Sequence, residues 1–182
     1  MKRLMTFGFW LLVFSLLVGC MAYDAAVTDR KVETYAKDES IEAEIASKMI
    51  ADDTAKFMDV SVFCYSGNVY LVGEYETDKQ KERAITIARG VNGVTSVTPY
   101  ILAKREVKGC GSTDNVTITS QVKTKLIGDK DIWSTNVDVK TVQCNVVLLG
   151  VVGSKKEIDK SIAHTKSVKG VRGIKSFLRS VR

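Results

Sequence analysis

The sequence predicts an α+β protein of two tandem domains, each folded α-β-β-α-β, with a three-stranded mixed sheet and two helices packed on one face. Three observations carry this. The stretch Val60-Ser-Val-Phe-Cys-Tyr-Ser-Gly-Asn-Val-Tyr-Leu-Val-Gly73 alternates apolar residues with polar or aromatic ones at the period of a strand, and Ser66-Gly67-Asn68 interrupts it with the chemistry of a tight turn. The pattern returns at an offset of 77 as Val137-Asp-Val-Lys-Thr-Val-Gln-Cys-Asn-Val-Val-Leu-Leu-Gly150. The match then runs without a gap over residues 38–105 and 115–182: Ile41, Ile45 and Met49 meet Ile118, Val122 and Leu126, and Val91, Gly93 and Val94 meet Val168, Gly170 and Val171.

The chain opens on a leader. Lys2-Arg3 is a positively charged start, and Met5 to Val18 is a nearly continuous apolar run of 14 residues. That is short of the ~20 residues a membrane-spanning helix needs, and it fits the core of a signal peptide over residues 1–19. Leu17-Val18-Gly19-Cys20 resembles the bacterial lipobox, in which the cysteine sulfur receives a diacylglycerol and becomes the first residue of the mature chain. Cys20 is therefore the expected lipid attachment point, and several acyl chains make a stable anchor. Met21 follows instead of Asp, which by the same resemblance points to the outer membrane. Residues 20–37 lack clear periodicity and read as a tether.

Residues 38–106 form the first expected domain. Asp38 or Ser40 is placed to cap a helix whose apolar stripe is Ile41, Ile45 and Met49. Asp38, Glu39, Glu42 and Glu44 crowd its first turns, where the helix dipole favours anions, so they read as structural rather than as an acid–base pair. The hairpin follows. Thr77 or Asp78 then opens a second helix with Ala84, Ile87 or Ala88, and Val91 on its inner face, and Asn92-Gly93 ends it. Pro99 lies in the third strand, which suits a sheet edge because proline offers no amide to the ladder. The crossover makes the second and third strands parallel and the second strand central. After a linker at 107–113, residues 114–182 repeat the domain. Each unit is small enough for a lone core to be marginal, so the two are expected to lean on each other.

Charge separates the copies. Residues 38–105 hold 8 Lys and Arg against 11 Asp and Glu, a net of −3, whereas residues 113–182 hold 13 against 6, a net of +7. A basic second half suits an anionic partner. Nucleic acid is not expected, because the leader directs export and no aromatic stacking platform is present. No catalytic residues are expected either. The single histidine, His164, has Ile87 as its counterpart, and no nucleophile–base arrangement or phosphate-cradling glycine loop is present. Cys64, Cys110 and Cys144 show no CxxC spacing, so neither a metal nor a cofactor is expected.

The α-β-β-α-β order, with Gly-Asn-Val-Tyr-Leu-Val-Gly and Gly-Val-Asn-Gly-Val-Thr-Ser-Val in the first copy and Asn-Val-Val-Leu-Leu-Gly and Val-Lys-Gly-Val-Arg-Gly-Ile in the second, resembles the BON domain family. A lipobox followed by two such domains is similar to the division- and outer-membrane-stress-associated lipid-binding lipoproteins of Gram-negative bacteria. That resemblance implies a non-enzymatic protein on the periplasmic face of the outer membrane. It also implies binding of anionic phospholipid (phosphatidylglycerol or cardiolipin), with the outer-membrane protein assembly machinery as a further partner. In the lipid-binding relatives the first helix of the second repeat makes the contact. Here this implies Thr117, Ser120, Lys123, Thr124, Ile127, Lys130 and Trp133. Lysine supplies attraction to headgroups, and an indole suits the polar–apolar boundary. Thr117 stands where relatives carry an aromatic. The alternatives are that Ile127 and Trp133 only close the core, and that the protein is an adaptor binding envelope proteins without recognising lipid. An oxidising envelope allows a disulfide. Cys110–Cys144 is the expected pairing if one forms, three free thiols being the alternative, and strand parity puts Cys64 in the core.

Overall fold

The computed structural model describes residues 32–56 and 58–181. The leader, Cys20, the tether up to residue 31 and Arg182 lie outside the described residues. The first repeat is α1 (Val32–Ala51), β1 (Asp59–Tyr65), β2 (Asn68–Tyr75), α2 (Asp78–Arg89) and β3 (Ser96–Ala103). The second is α3 (Ser112–Ile127), a short 3-10 turn (Ser134–Asn136), β4 (Asp138–Val142), β5 (Asn145–Val152), α4 (Lys155–Lys166) and β6 (Gly173–Ser180). In each sheet the second strand is central, antiparallel to the first and parallel to the third. The expected fold holds in both copies, with Pro99 on the edge strand β3 opposite Leu71.

The hairpins follow from backbone chemistry. Ser66 and Gly67 both take positive φ (54° and 75°), as do Gln143 and Cys144 (50° and 60°), so each turn is two residues long and twists with its strands. Asn68 is the first residue of β2 and serves the turn with its side chain, donating to the Tyr65 and Ser66 carbonyls. Gly73 lies within β2, and a Cβ there would sit 1.9 Å from the Asp59 carbonyl oxygen. Gly150 faces Asn136 in the same way at 2.0 Å. The glycine is thus set by close backbone approach rather than by a strand end.

Four expectations about α1 and α2 change. Helix α1 spans Val32–Ala51, so residues 32–37, read as tether, are helical. Asp38 therefore lies inside the helix and caps nothing. It is 2 % exposed, and its carboxylate accepts the Ser66 and Gly67 N–H groups at 2.8 and 3.0 Å and the Cys64 thiol at 3.3 Å. Glu42 accepts the Cys64 N–H at 2.6 Å. These acids clamp the helix to the hairpin and do not answer the helix dipole. Burial first, and the Asp38 carboxylate next, push the Cys64 thiol up to about 12. Thr77 caps α2 in a capping box with Gln80, and the helix ends at Gly90, before Asn92-Gly93.

The helices cover one face of each sheet. Ile41, Ile45, Met49, Ala84, Ile87 and Ala88 pack on Cys64, Val69 and Leu71, and the second copy repeats this with Ile118, Val122 and Leu126 on Val139, Val146 and Leu148. The opposite faces meet each other. Tyr65, Tyr70 and Val72 form one cluster with Val142, Val147 and Leu149, flanked by Tyr100 and Phe177. At the offset of 77 these are the same three positions from each copy, so the contact is pseudo-symmetric and the molecule is a four-layer α/β/β/α stack. Polar contacts rim it: the Tyr65 hydroxyl donates to Asp138 at 2.6 Å, Gln143 donates to Glu74 at 2.7 Å and to the Ala103 carbonyl at 2.8 Å, and Arg179 donates to the Tyr65 carbonyl. Among the described residues no helix is long and apolar enough to cross a membrane.

Candidate membrane-facing surface

Helix α3 follows Gly111, whose N–H is taken by Asp114 Oδ2 at 2.7 Å, and it ends at Gly128. Ile118, Val122 and Leu126 turn inward at four-residue spacing. The outer face carries the implied contact residues. Thr117, Ser120, Lys123, Thr124, Ile127, Lys130 and Trp133 are all exposed. Ile127 is 71 % and Trp133 58 % exposed, so neither closes the core. Ile132 does so instead, at 6 % exposure. The Thr117 and Thr124 hydroxyls donate to the carbonyls four residues back, satisfying themselves on the helix. Val116, 71 % exposed, was not singled out from sequence. The available signal was its spacing: four residues before Ser120 and eleven before Ile127 place it on the same stripe. A shallow groove runs beside this stripe, lined by Val116, Ser120, Lys123, Ile127, Lys140 and Asp59.

The loop after α3 is held from below. Trp133 N–H donates to Glu157 Oε1 at 2.8 Å, and Glu157, 5 % exposed, also accepts from Gly153 N–H. Asp129 lies 2.8 Å from His164 Nε2, accepts the Asp131 N–H, and pairs with Lys160 at 2.9 Å. These partners, the His164 bond first, hold the Asp129 carboxyl well below the usual carboxylate range. Lys160 also pairs with Asp131, and Lys156 reaches the same carboxylate. The first repeat has the same tie in Asp52 and Arg83, 2.7 Å apart at the equivalent positions. What differs is the cargo: Lys130 and Trp133 replace Asp53 and Lys56, and Lys123 replaces Ala46. His164 is half-buried in this network.

Cys110 and Cys144 are joined by a disulfide with Cα atoms 6.0 Å apart, and Cys64 is a thiol outside that bond. The bond ties the residue before Gly111 to the β4–β5 turn. Asn115, the counterpart of Asp38, adds one hydrogen bond to that turn, from Cys144 N–H at 2.9 Å. Among the described residues no group of three or more His, Cys, Asp or Glu is placed to hold a metal.

The BON domain profile matches residues 37–104 and 114–181. The chain belongs to the BON-domain family. The two matched segments coincide with the two α-β-β-α-β units. The BON-domain chain is 32% identical over 152 residues, 82% of its length and 76% of the relative's, to osmotically-inducible protein Y of Escherichia coli K12. It is 28% identical over 135 residues, covering 74% and 70%, to outer membrane lipoprotein DolP of Haemophilus influenzae. It is 28% identical over 158 residues, covering 86% and 80%, to the 21 kDa hemolysin of Actinobacillus pleuropneumoniae.

Proposed function

We propose that this BON-domain protein is a lipid-anchored envelope protein, held at the periplasmic face of the outer membrane by Cys20, and that its second domain docks on anionic phospholipid through α3 and the loop after it. The observation that supports this most directly is the exposure of Ile127 and Trp133 beside Lys123 and Lys130, outside a core that is complete without them. An indole, an aliphatic side chain and cations that form no ion pair among the described residues match, on one rigid surface, a headgroup interface. The first domain lacks those cations at the matching positions. The lipobox and the similarity to an outer membrane lipoprotein support the anchor. The role is binding in support of envelope integrity rather than catalysis, with the outer-membrane protein assembly machinery as the further partner to test.

Flotation of residues 21–182 with phosphatidylglycerol or cardiolipin vesicles tests the docking. Binding is expected there and not with phosphatidylcholine alone, and Lys123→Glu with Lys130→Glu should abolish it while the domain stays folded. Absence of any lipid selectivity would favour an adaptor for envelope proteins. Separately, Cys20→Ser should release the protein from the membrane fraction or leave an uncleaved precursor, and normal processing with normal sedimentation would remove the anchor.

A further inference from the structure

The lysines of the second repeat are not equivalent. Lys156 and Lys160 are taken up by Asp129 and Asp131, and Lys140 pairs with Asp59. The loop from α4 to β6 is different. Lys169 and Arg172 in the loop, and Lys175 at the third position of β6, stand where the first repeat has Asn92, Thr95 and Thr98, so this stretch carries three positive charges that its counterpart lacks. All three are exposed, and among the described residues none forms an ion pair with an acid. Their contacts are to neutral groups. Arg172 donates to the Lys108 carbonyl, and Lys175 Nζ lies 5.2 Å from the Phe177 ring centroid. Asp114, the acid in the first turn of α3, faces Gly111 N–H.

The loop is fixed against the N-terminal half of α3. Gly170 lies directly against Ile118, where an added Cβ would be 3.3 Å from Cδ1. Arg172 N–H donates to the Cys144 carbonyl at 2.9 Å, beside the disulfide that holds Cys110. Lys108 is exposed in the same segment and adds a fourth cation. Trp133 and Lys130 lie past the other end of the helix, whose 16 residues span roughly 24 Å.

We propose that the α4–β6 loop is a second contact with anionic bilayer phosphates, so that α3 lies along the membrane plane with Trp133 at one end and Lys169 and Arg172 at the other, Lys175 adding its charge from the start of β6. This rests on the phospholipid-docking function above. Exposed cations unneutralised by the protein attract a negative surface within a Debye length of ~8 Å. A contact at both ends of the helix fixes the orientation of the domain, which a single cluster at one end leaves free.

The test restores the first repeat's residues in the 21–182 chain: Lys169→Asn, Arg172→Thr and Lys175→Thr together. Affinity for mixed phosphatidylcholine–phosphatidylglycerol vesicles is read by flotation and by the fluorescence of Trp133. The triple variant should bind about tenfold to hundredfold more weakly, with a shallower salt dependence, and Trp133 should still shift to the blue at saturating vesicle. If loss of the Arg172 contacts unfolds it, the Lys169→Asn/Lys175→Thr double variant keeps them and should lose a smaller part of the affinity. Unchanged binding of the folded variant, while Lys123→Glu/Lys130→Glu abolishes binding, overturns the loop contact and leaves the α3 surface standing. Weakened binding in the loop variant with undiminished binding in the α3 variant keeps the loop and removes the α3 surface. A wild-type chain that ignores anionic vesicles, or that binds a protein partner instead, overturns both.

Discussion

Glu157 Oε1 accepts the backbone N–H of Trp133 at 2.8 Å, so an exposed indole is carried on a main chain pinned by a buried carboxylate. The other oxygen of Glu157 accepts Gly153 N–H, which joins the Trp133 loop to the start of α4. Removing the carboxylate strands two donors in a half-buried setting. Glu157→Ala should therefore cost ~1–3 kcal/mol in urea unfolding, and Glu157→Gln, which retains one acceptor, should cost less. If Glu157→Ala unfolds like the wild type, the loop has another support.

The two central strands make a paired prediction. Leu71 and Leu148 are both fully buried and sit at equivalent positions of β2 and β5. Leu71→Ala and Leu148→Ala should each lower stability by ~2–5 kcal/mol through lost transfer energy and a residual cavity. An unmoved thermal transition in either variant would contradict the shared core plan.

The disulfide closes a sequence separation of 34 residues. Constraining the unfolded chain over that loop is worth about 3–4 kcal/mol, so Cys110→Ser with Cys144→Ser should lower the unfolding midpoint clearly. Thiol alkylation of the 21–182 chain in denaturant should label Cys64 alone without reductant and three cysteines with it. In the native state Cys64 should react slowly, because its buried thiol is pushed up to about 12. Fast native labelling of Cys64 would argue against its place in the core.

Acid should loosen the Trp133 loop before the rest of the domain. Asp129 titrates below its ordinary 3.8 in the folded chain, so on acidification the unfolded chain takes up the proton first. The stabilisation is therefore complete above about pH 4–5 and is lost as the pH falls below that, with the unfolded state favoured progressively. Protection of the residue 129–133 amides, taken relative to their intrinsic exchange at each pH, should fall in that window, and Asp129→Asn should flatten the change. A loop whose protection is indifferent to pH there would exclude Asp129 as its tie.

Much of the fold was legible because strand alternation and the i, i+4 stripe of Ile118, Val122 and Leu126 are local properties, and the repeat at 77 gave each element a second witness. The surface position of Ile127 was harder. An apolar residue next to a core stripe looks the same whether the core needs it or not, and here Ile132 fills the space. Its repeat partner Ile50 is likewise exposed, at 74 %.

The duplication, the topology of each unit and the basic character of the second copy can be read from the chain alone, since they rest on local patterns or on direct comparison of the halves. Where Asp38 sends its carboxylate, which sheet faces stack on each other, and which lysines are taken up by acids cannot, because each depends on contacts between distant segments. Asp38 meets Gly67 across 29 positions, and Lys160 meets Asp129 across 31. A charge is neutralised, or left for a partner, by what the fold brings within about 4 Å of it, and no local pattern records that distance.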